Sequence, residues 1–280
     1  MFSQVLLTVD FDRTLTAPDG TIPERNLEAI RYFMENGGHF TVNTGRSTNT
    51  FGPYLKTVPA NAPFLLYNGS AAWQDGQLVN TRPIDLPMWQ TIRQVHEAFP
   101  DLNLEIQAAN THYIVEEKPE YVAFYDALGW GHKPAVDGSD LGPFLKFSLF
   151  GTPHRNAVAD FYDFTPQEQA RFQEAFDFLQ AHYGDQVEVF MAAPRIIDVH
   201  AKGVSKLAAA RQLQRDLGKQ ILVCVGDAEN DIPMLDGADY AFCPADGVVA
   251  DRYLNVCNCA EGAVADVIYK KIPEILNIKP

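Results

Sequence analysis

No apolar run in the 280-residue chain reaches the roughly 18 residues that a membrane span requires. The opening stretch, MFSQVLLTVDFD, lacks a basic cluster and meets two carboxylates too early for a secretory signal, so cytoplasmic residence is the expectation. Cysteine is scarce. Its four copies, Cys224, Cys243, Cys257 and Cys259, suggest neither a disulfide framework nor a zinc pattern, and the last two stand too close for a CxxC hook. Cys224 and Cys243 fall in apolar runs and read as small buried hydrophobes. Basic charge is short as well: 22 Lys and Arg face 36 Asp and Glu, a net of −14. Such a surface disfavours nucleic acid and anionic membranes, and it repels any phosphorylated small molecule unless a cation is held locally. Repeats and low-complexity linkers are absent from the sequence.

What is present is a globular composition, 46% hydrophobic and 21% charged, long enough for one large domain or two modest ones. Over residues 1–85 apolar strand-like runs alternate with helical patterns. VLLTVDF precedes a helix in which Leu27, Ile30 and Met34 recur at helical spacing. Thr21 and Glu24 fit a capping box at its start, and Gly37-Gly38 ends it. HFTVNTG, a short polar helix and FLLYNG follow. Strand, helix and strand with short turns predict a parallel sheet with crossover helices, whose active sites gather beyond the carboxyl ends of the strands. Asp10, Asp12, Thr44 and Asn68 all fall at such ends. Residues 86–195 read differently, as hairpin-like strand pairs and helices, hence an inserted α+β unit. The alternating rhythm then returns to the C-terminus.

Two stretches concentrate carboxylates. TVDFDRTLT, residues 8–16, ends an apolar run with two aspartates one residue apart. Side chains alternate along a strand, so Asp10 and Asp12 are expected on one side, repelling each other unless a cation lies between. VCVGDAENDIPML, residues 223–235, ends a buried strand in Gly226-Asp227, and Asp231 opens a helix four residues later. Alone, such an acidic loop reads as helix capping. Together the two stretches supply hard oxygen ligands in the number that magnesium takes. VNTGRS, residues 42–47, places Thr44, Gly45 and Arg46 after a strand, either as a small phosphate-holding nest or as an ordinary turn. Lys206 in AKGVSKLAAA starts a helix, an unfavourable place for a cation against the helix dipole and so a candidate functional lysine.

These motifs, DFDRTLT, NTGR, GVSK and GDAEND in this order, resemble those of the haloacid dehalogenase superfamily. Within it they are similar to the Cof-type sugar-phosphate phosphatases with a large inserted cap (type IIB). The resemblance implies an α/β fold with a Rossmann-like parallel-sheet core, residues 1–85 and 196–280, and an α+β cap, residues 86–195, that selects substrate. It implies a magnesium-dependent phosphatase acting on small phosphorylated metabolites such as sugar phosphates. In that scheme Asp10 is the nucleophile and Asp12 the general acid and base, with Thr14 helping to orient Asp12. Thr44 and Lys206 hold the transferring phosphoryl group, with Gly45 and Arg46 in the same binding stretch. Asp10, the Asp12 carbonyl oxygen and Asp227 hold magnesium, supported by Asp231, and Asn230 positions Lys206 or the phosphate.

The chain departs from the family at Arg13, where glycine is usual. Arginine resists positive φ, so ordinary dihedrals are expected at that turn. In the cap, Trp89, Tyr113, Tyr121, Phe124, Tyr125 and Trp130 read as core before they read as a sugar platform. Arg46 and Arg195 are the candidate specificity cations. A phosphomutase shares the same core chemistry, whereas a non-catalytic binding module is disfavoured because no key carboxylate or lysine is missing. A receiver-like domain leaves the large insertion unexplained.

Overall fold

The buried run Val5–Val9 forms an interior strand of a five-stranded sheet. In the computed structural model, which describes residues 1–109, 111–152 and 164–278, its strand order is Leu254–Val256, Tyr240–Pro244, Ile221–Val225, Val5–Val9, His39–Val42. All four pairings are parallel, and Val9 lies in register with both Val225 and Val42. The three strands therefore end level, which brings the segments that follow them to one edge. Asn43 bridges to Leu65, and Phe64–Leu66 continues into an antiparallel ribbon with Ala71–Gln74 and Gln77–Val79. Leu213 and Ala210 of helix Lys206–Asp216, with Met234 and Leu235 of helix Ile232–Asp236, cover Leu6, Leu222 and Cys224 on one face.

Helix Glu24–Glu35 forms as its spacing predicts, but the Thr21–Glu24 box does not. The helix starts only at Glu24, behind Pro23, and Thr21 donates both its N–H and its hydroxyl to Asp19 instead. Buried Asn26 ties this helix to two other segments. Its Nδ2 donates to Leu15 O at 3.0 Å, and its Oδ1 accepts from the Ala265 N–H at 2.9 Å.

The second unit is built on a six-stranded sheet ordered Val187–Ala193, Ile196–Ala201, Phe144–Phe150, Asn103–Ala108, His112–Ile114, His132–Pro134. All its pairings are antiparallel except the last. Helices Met88–Ala98 and Pro166–Tyr183 bury Ile92, Val95, Phe172 and Leu179 against Leu104, Ile106, Phe147 and Ile197. Tyr121, Phe124 and Tyr125 of helix Pro119–Ala127 gather around Ile114 and Phe150, with Trp130 packed on them. Trp89 and Tyr113, partly buried, pack against the larger cluster, so of the six aromatic residues named from sequence three are fully buried and three, Trp130 included, line the core's edge.

The two units divide the chain differently from the 1–85, 86–195 and 196–280 scheme. The first comprises residues 1–45, 53–79 and 205–280; the second comprises 46–52 and 80–204. The boundary moves past 195 because Ile196–Ala201 pairs with Val187–Ala193 and Phe144–Phe150, inside the second sheet. Arg195 is buried at the start of that strand, where its guanidinium meets Glu168 at 3.3 Å and the Thr152 carbonyl. That is an anchoring role. Among the described residues no helix is long and apolar enough to cross a membrane.

Candidate active site

Asp10 follows the strand Val5–Val9 directly, and its N–H still donates to Val225 O at 2.8 Å. The strand stops there. Residues Phe11–Leu15 form a tight turn in which Arg13 has φ +60°, contrary to the expectation of ordinary dihedrals. The strain is local, and the Arg13 N–H donates to Thr16 Oγ1 at 3.1 Å inside the same turn. Asp12, half-buried, remains close enough to Asp10 for its charge to oppose ionisation there.

Asp227 and Asp231 enter from the neighbouring strand end. Their carboxylates and that of Asp10 each offer an oxygen within 4.8 Å of the others, and all three residues are buried. Gly226 permits this approach: a Cβ there would stand 2.6 Å from the Asp231 carboxyl carbon. Asp231 Oδ2 accepts from the N–H groups of Asp227 and Ala228 at 3.0 and 3.2 Å. Its Oδ1 accepts from Lys206 Nζ at 2.7 Å, and the same ammonium donates to Asp10 Oδ1 at 2.5 Å. Lys206 is thus placed by Asp10 and Asp231, and Asn230 makes no hydrogen bond to it. The Thr14 hydroxyl donates to Asp227 Oδ1 at 3.0 Å, so the carboxylate it orients is Asp227 and not Asp12.

Burial dominates the electrostatics. It lifts the Asp10 carboxyl to about 7 despite the Lys206 ammonium, with Asp231 and Asp12 adding to the rise. Asp227 is raised by burial first and then by Asp10 and Asp231. Burial alone would lower Lys206, but the two carboxylates it touches reverse this and hold it above an ordinary lysine. Asp227 Oδ2 is buried without a hydrogen-bond partner. An orphan carboxylate oxygen in a cluster of three acids and one ammonium fits a hard divalent cation, which would supply the missing partner and the missing charge.

Thr44 is buried at the adjacent strand end; its N–H donates to Leu65 O and its carbonyl accepts from the Asn68 N–H, both at 2.9 Å. Gly45 lies against the Asn68 side-chain amide, 3.0 Å from where a Cβ would stand. Arg46 and the residues to 52 belong to the second unit, where Arg46 Nη1 donates to Thr50 O at 3.0 Å. Sequence reasoning missed Asn43, whose Nδ2 donates to the Lys206 carbonyl at 2.8 Å and so ties the strand end to the lysine helix. Its only signal was its place as the polar first residue of the NTGR motif, directly after a buried strand.

Comparisons with known proteins bear on the family and the fold. A profile of haloacid dehalogenase-like hydrolases matches residues 7–250. The chain is 23% identical over 242 residues, 83% of its own length and 80% of the relative's, to the 5-amino-6-(5-phospho-D-ribitylamino)uracil phosphatase YcsE of Bacillus subtilis. A haloacid dehalogenase-like hydrolase from Bacteroides thetaiotaomicron superposes with a TM-score of 0.76 at 17% identity, over 95% of this chain and 98% of that one. The subclass IIB sugar phosphatase BT4131 superposes with a TM-score of 0.74 at 18% identity, over 98% and 99%.

Proposed function

The chain belongs to the haloacid dehalogenase-like hydrolase family, and from that premise we propose a magnesium-dependent phosphatase of small phosphorylated metabolites, sugar phosphates in particular. One observation carries the reading: a single buried ammonium, Lys206, bridges Asp10 and Asp231 beside the orphan oxygen of Asp227. Phosphoryl transfer needs positioning and charge neutralisation more than covalent chemistry, and this arrangement supplies both. Asp10, Asp227 and Asp231, with the Asp12 carbonyl oxygen, would hold magnesium, which neutralises charge on the phosphoryl oxygens.

In the reaction an Asp10 carboxylate oxygen attacks phosphorus while the ester oxygen leaves with a proton from Asp12. Asp12 then takes a proton from water, whose oxygen attacks the aspartyl-phosphate, releasing inorganic phosphate and restoring Asp10. Lys206 balances Asp10 before attack and the phosphoryl oxygens during it. Thr44 and the Gly45 N–H hold the phosphoryl group, with Arg46 and Asn230 as further substrate-binding candidates. The second unit acts as the cap that selects the organic part of the ester. Four free cysteines support the cytoplasm as its working compartment.

The test is the Asp10→Asn variant with magnesium and a panel of sugar phosphates. It should keep its fold and lose turnover by at least about 10³-fold, since the nucleophile's charge is gone. Undiminished hydrolysis by that folded variant, or by the parent protein in excess chelator, would rule the mechanism out.

A further inference from the structure

Three side chains immediately after the NTGR motif are bonded to distant parts of the second unit. Ser47 Oγ lies 2.6 Å from His112 Nε2, Thr48 Oγ1 donates to Ala109 O at 2.9 Å, and Asn49 Nδ2 donates to Gly131 O at 2.6 Å. Ser47 and His112 are both buried. Ser47 also caps the single helical turn Thr48–Phe51, accepting from the N–H groups of Asn49 and Thr50 at 3.1 and 3.2 Å. The Thr50 carbonyl of that turn receives the Arg46 guanidinium at 3.0 Å.

The direction of the chain follows from counting protons. The two lone pairs of Ser47 Oγ are already directed to backbone N–H groups, so its own proton is what it has left to offer. A weaker alternative, Thr50 Oγ1, lies at 3.4 Å, whereas His112 Nε2 lies at 2.6 Å. Ser47 therefore donates to Nε2, and the His112 ring carries its proton on Nδ1. That nitrogen faces Tyr125 Oη at 3.0 Å, with the Glu105 carboxyl at 3.7 Å. Burial independently favours this neutral ring, lowering the His112 pKa to about 3.

We propose that His112 is a positioning residue for Arg46: through Ser47 it fixes the capped turn whose carbonyl holds the Arg46 guanidinium. This rests on the phosphatase reading, in which Arg46 meets the substrate. A structural histidine would influence stability alone. A positioning residue for a substrate cation changes ground-state binding, and so KM, while leaving the Asp10 and Lys206 chemistry in place.

The experiment measures kcat and KM of the full chain with magnesium, using a hexose 6-phosphate and p-nitrophenyl phosphate as probes. His112→Phe keeps the ring volume and removes the acceptor. It should raise KM about tenfold with kcat within about twofold, the size of one lost buried hydrogen bond. His112→Gln, which returns an acceptor near the Nε2 position, should recover most of that loss. Arg46→Ala should raise KM similarly, and adding His112→Phe to it should cost little more, because both act on one contact. If His112→Phe does not fold, Ser47→Ala removes the donor of the same hydrogen bond and carries the same expectation. ¹⁵N shifts of the parent His112 should show the proton on Nδ1. Unchanged KM in a folded variant, additive losses with Arg46→Ala, or a proton on Nε2 overturns the proposal. No turnover of either probe by the parent protein removes the phosphatase reading, and the proposal with it.

Discussion

Lys206 and Lys202 differ by one helical turn and by everything that surrounds them. Lys206 is buried between Asp10 and Asp231, whereas Lys202 donates to Gly184 O at 2.7 Å and sits 3.4 Å from Glu188, in the second unit. Lys206→Ala should cost about 3 kcal/mol of transition-state stabilisation, seen as a fall of about 10² in kcat, and Lys202→Ala less than about 0.5 kcal/mol. A larger defect at Lys202 would move the motif by a turn. The carboxylates and Lys206 were legible because each follows an apolar strand or opens a helix. The Thr14 partner was not, because its Oγ1 reaches Asp227 across more than two hundred residues. Arg13 misled for a physical reason: positive φ at a non-glycine residue costs about 1–2 kcal/mol, which sequence alone gives no ground to assume. The role of Asn43, holding the Lys206 carbonyl, was invisible because it exists only once the end of strand His39–Val42 and the start of helix Lys206–Asp216 are packed together.

Helices and longer strands of the parallel sheet follow the apolar periods closely, since burial sets them. Leu254–Val256 and His132–Pro134 escape that reading: three residues contain too little alternation to register, and each is fixed only by its neighbour. The strand ends matter most for the chemistry, and Gly226 shows why. Gly226→Ala would place a methyl group 2.6 Å from the Asp231 carboxyl carbon, so the carboxylate must move away from Lys206 and from its two backbone donors. A fall in kcat of at least about tenfold with a retained far-ultraviolet circular dichroism spectrum is expected, one tenfold step being about 1.4 kcal/mol of barrier. Full activity in this variant would show that Asp231 does not need its present position.

At the scale of the whole molecule, charge separates hydrolysis from isomerisation. A mutase retains a doubly phosphorylated intermediate and needs cations for the second phosphate. Residues 86–195 contain seven Lys or Arg against sixteen Asp or Glu. Arg93, Lys118, Lys146, Arg171 and Arg195 already lie within ion-pair distance of carboxylates of the second unit. Incubation with magnesium and a hexose 1-phosphate, with and without the bisphosphate, should release inorganic phosphate in step with substrate loss. Appearance of the 6-phosphate without free phosphate would identify a mutase. The order of strands bears on how the protein is made. Val5–Val9 precedes both of its partners in the chain, and one of them, Ile221–Val225, leaves the ribosome more than two hundred residues after it. At typical translation rates that is on the order of ten seconds or more of exposure for a fully buried strand. Most of the second unit, residues 80–204, is complete by then. The nascent chain therefore completes most of the second unit before the first, and Val5–Val9 waits longer for a partner than any other strand of its sheet.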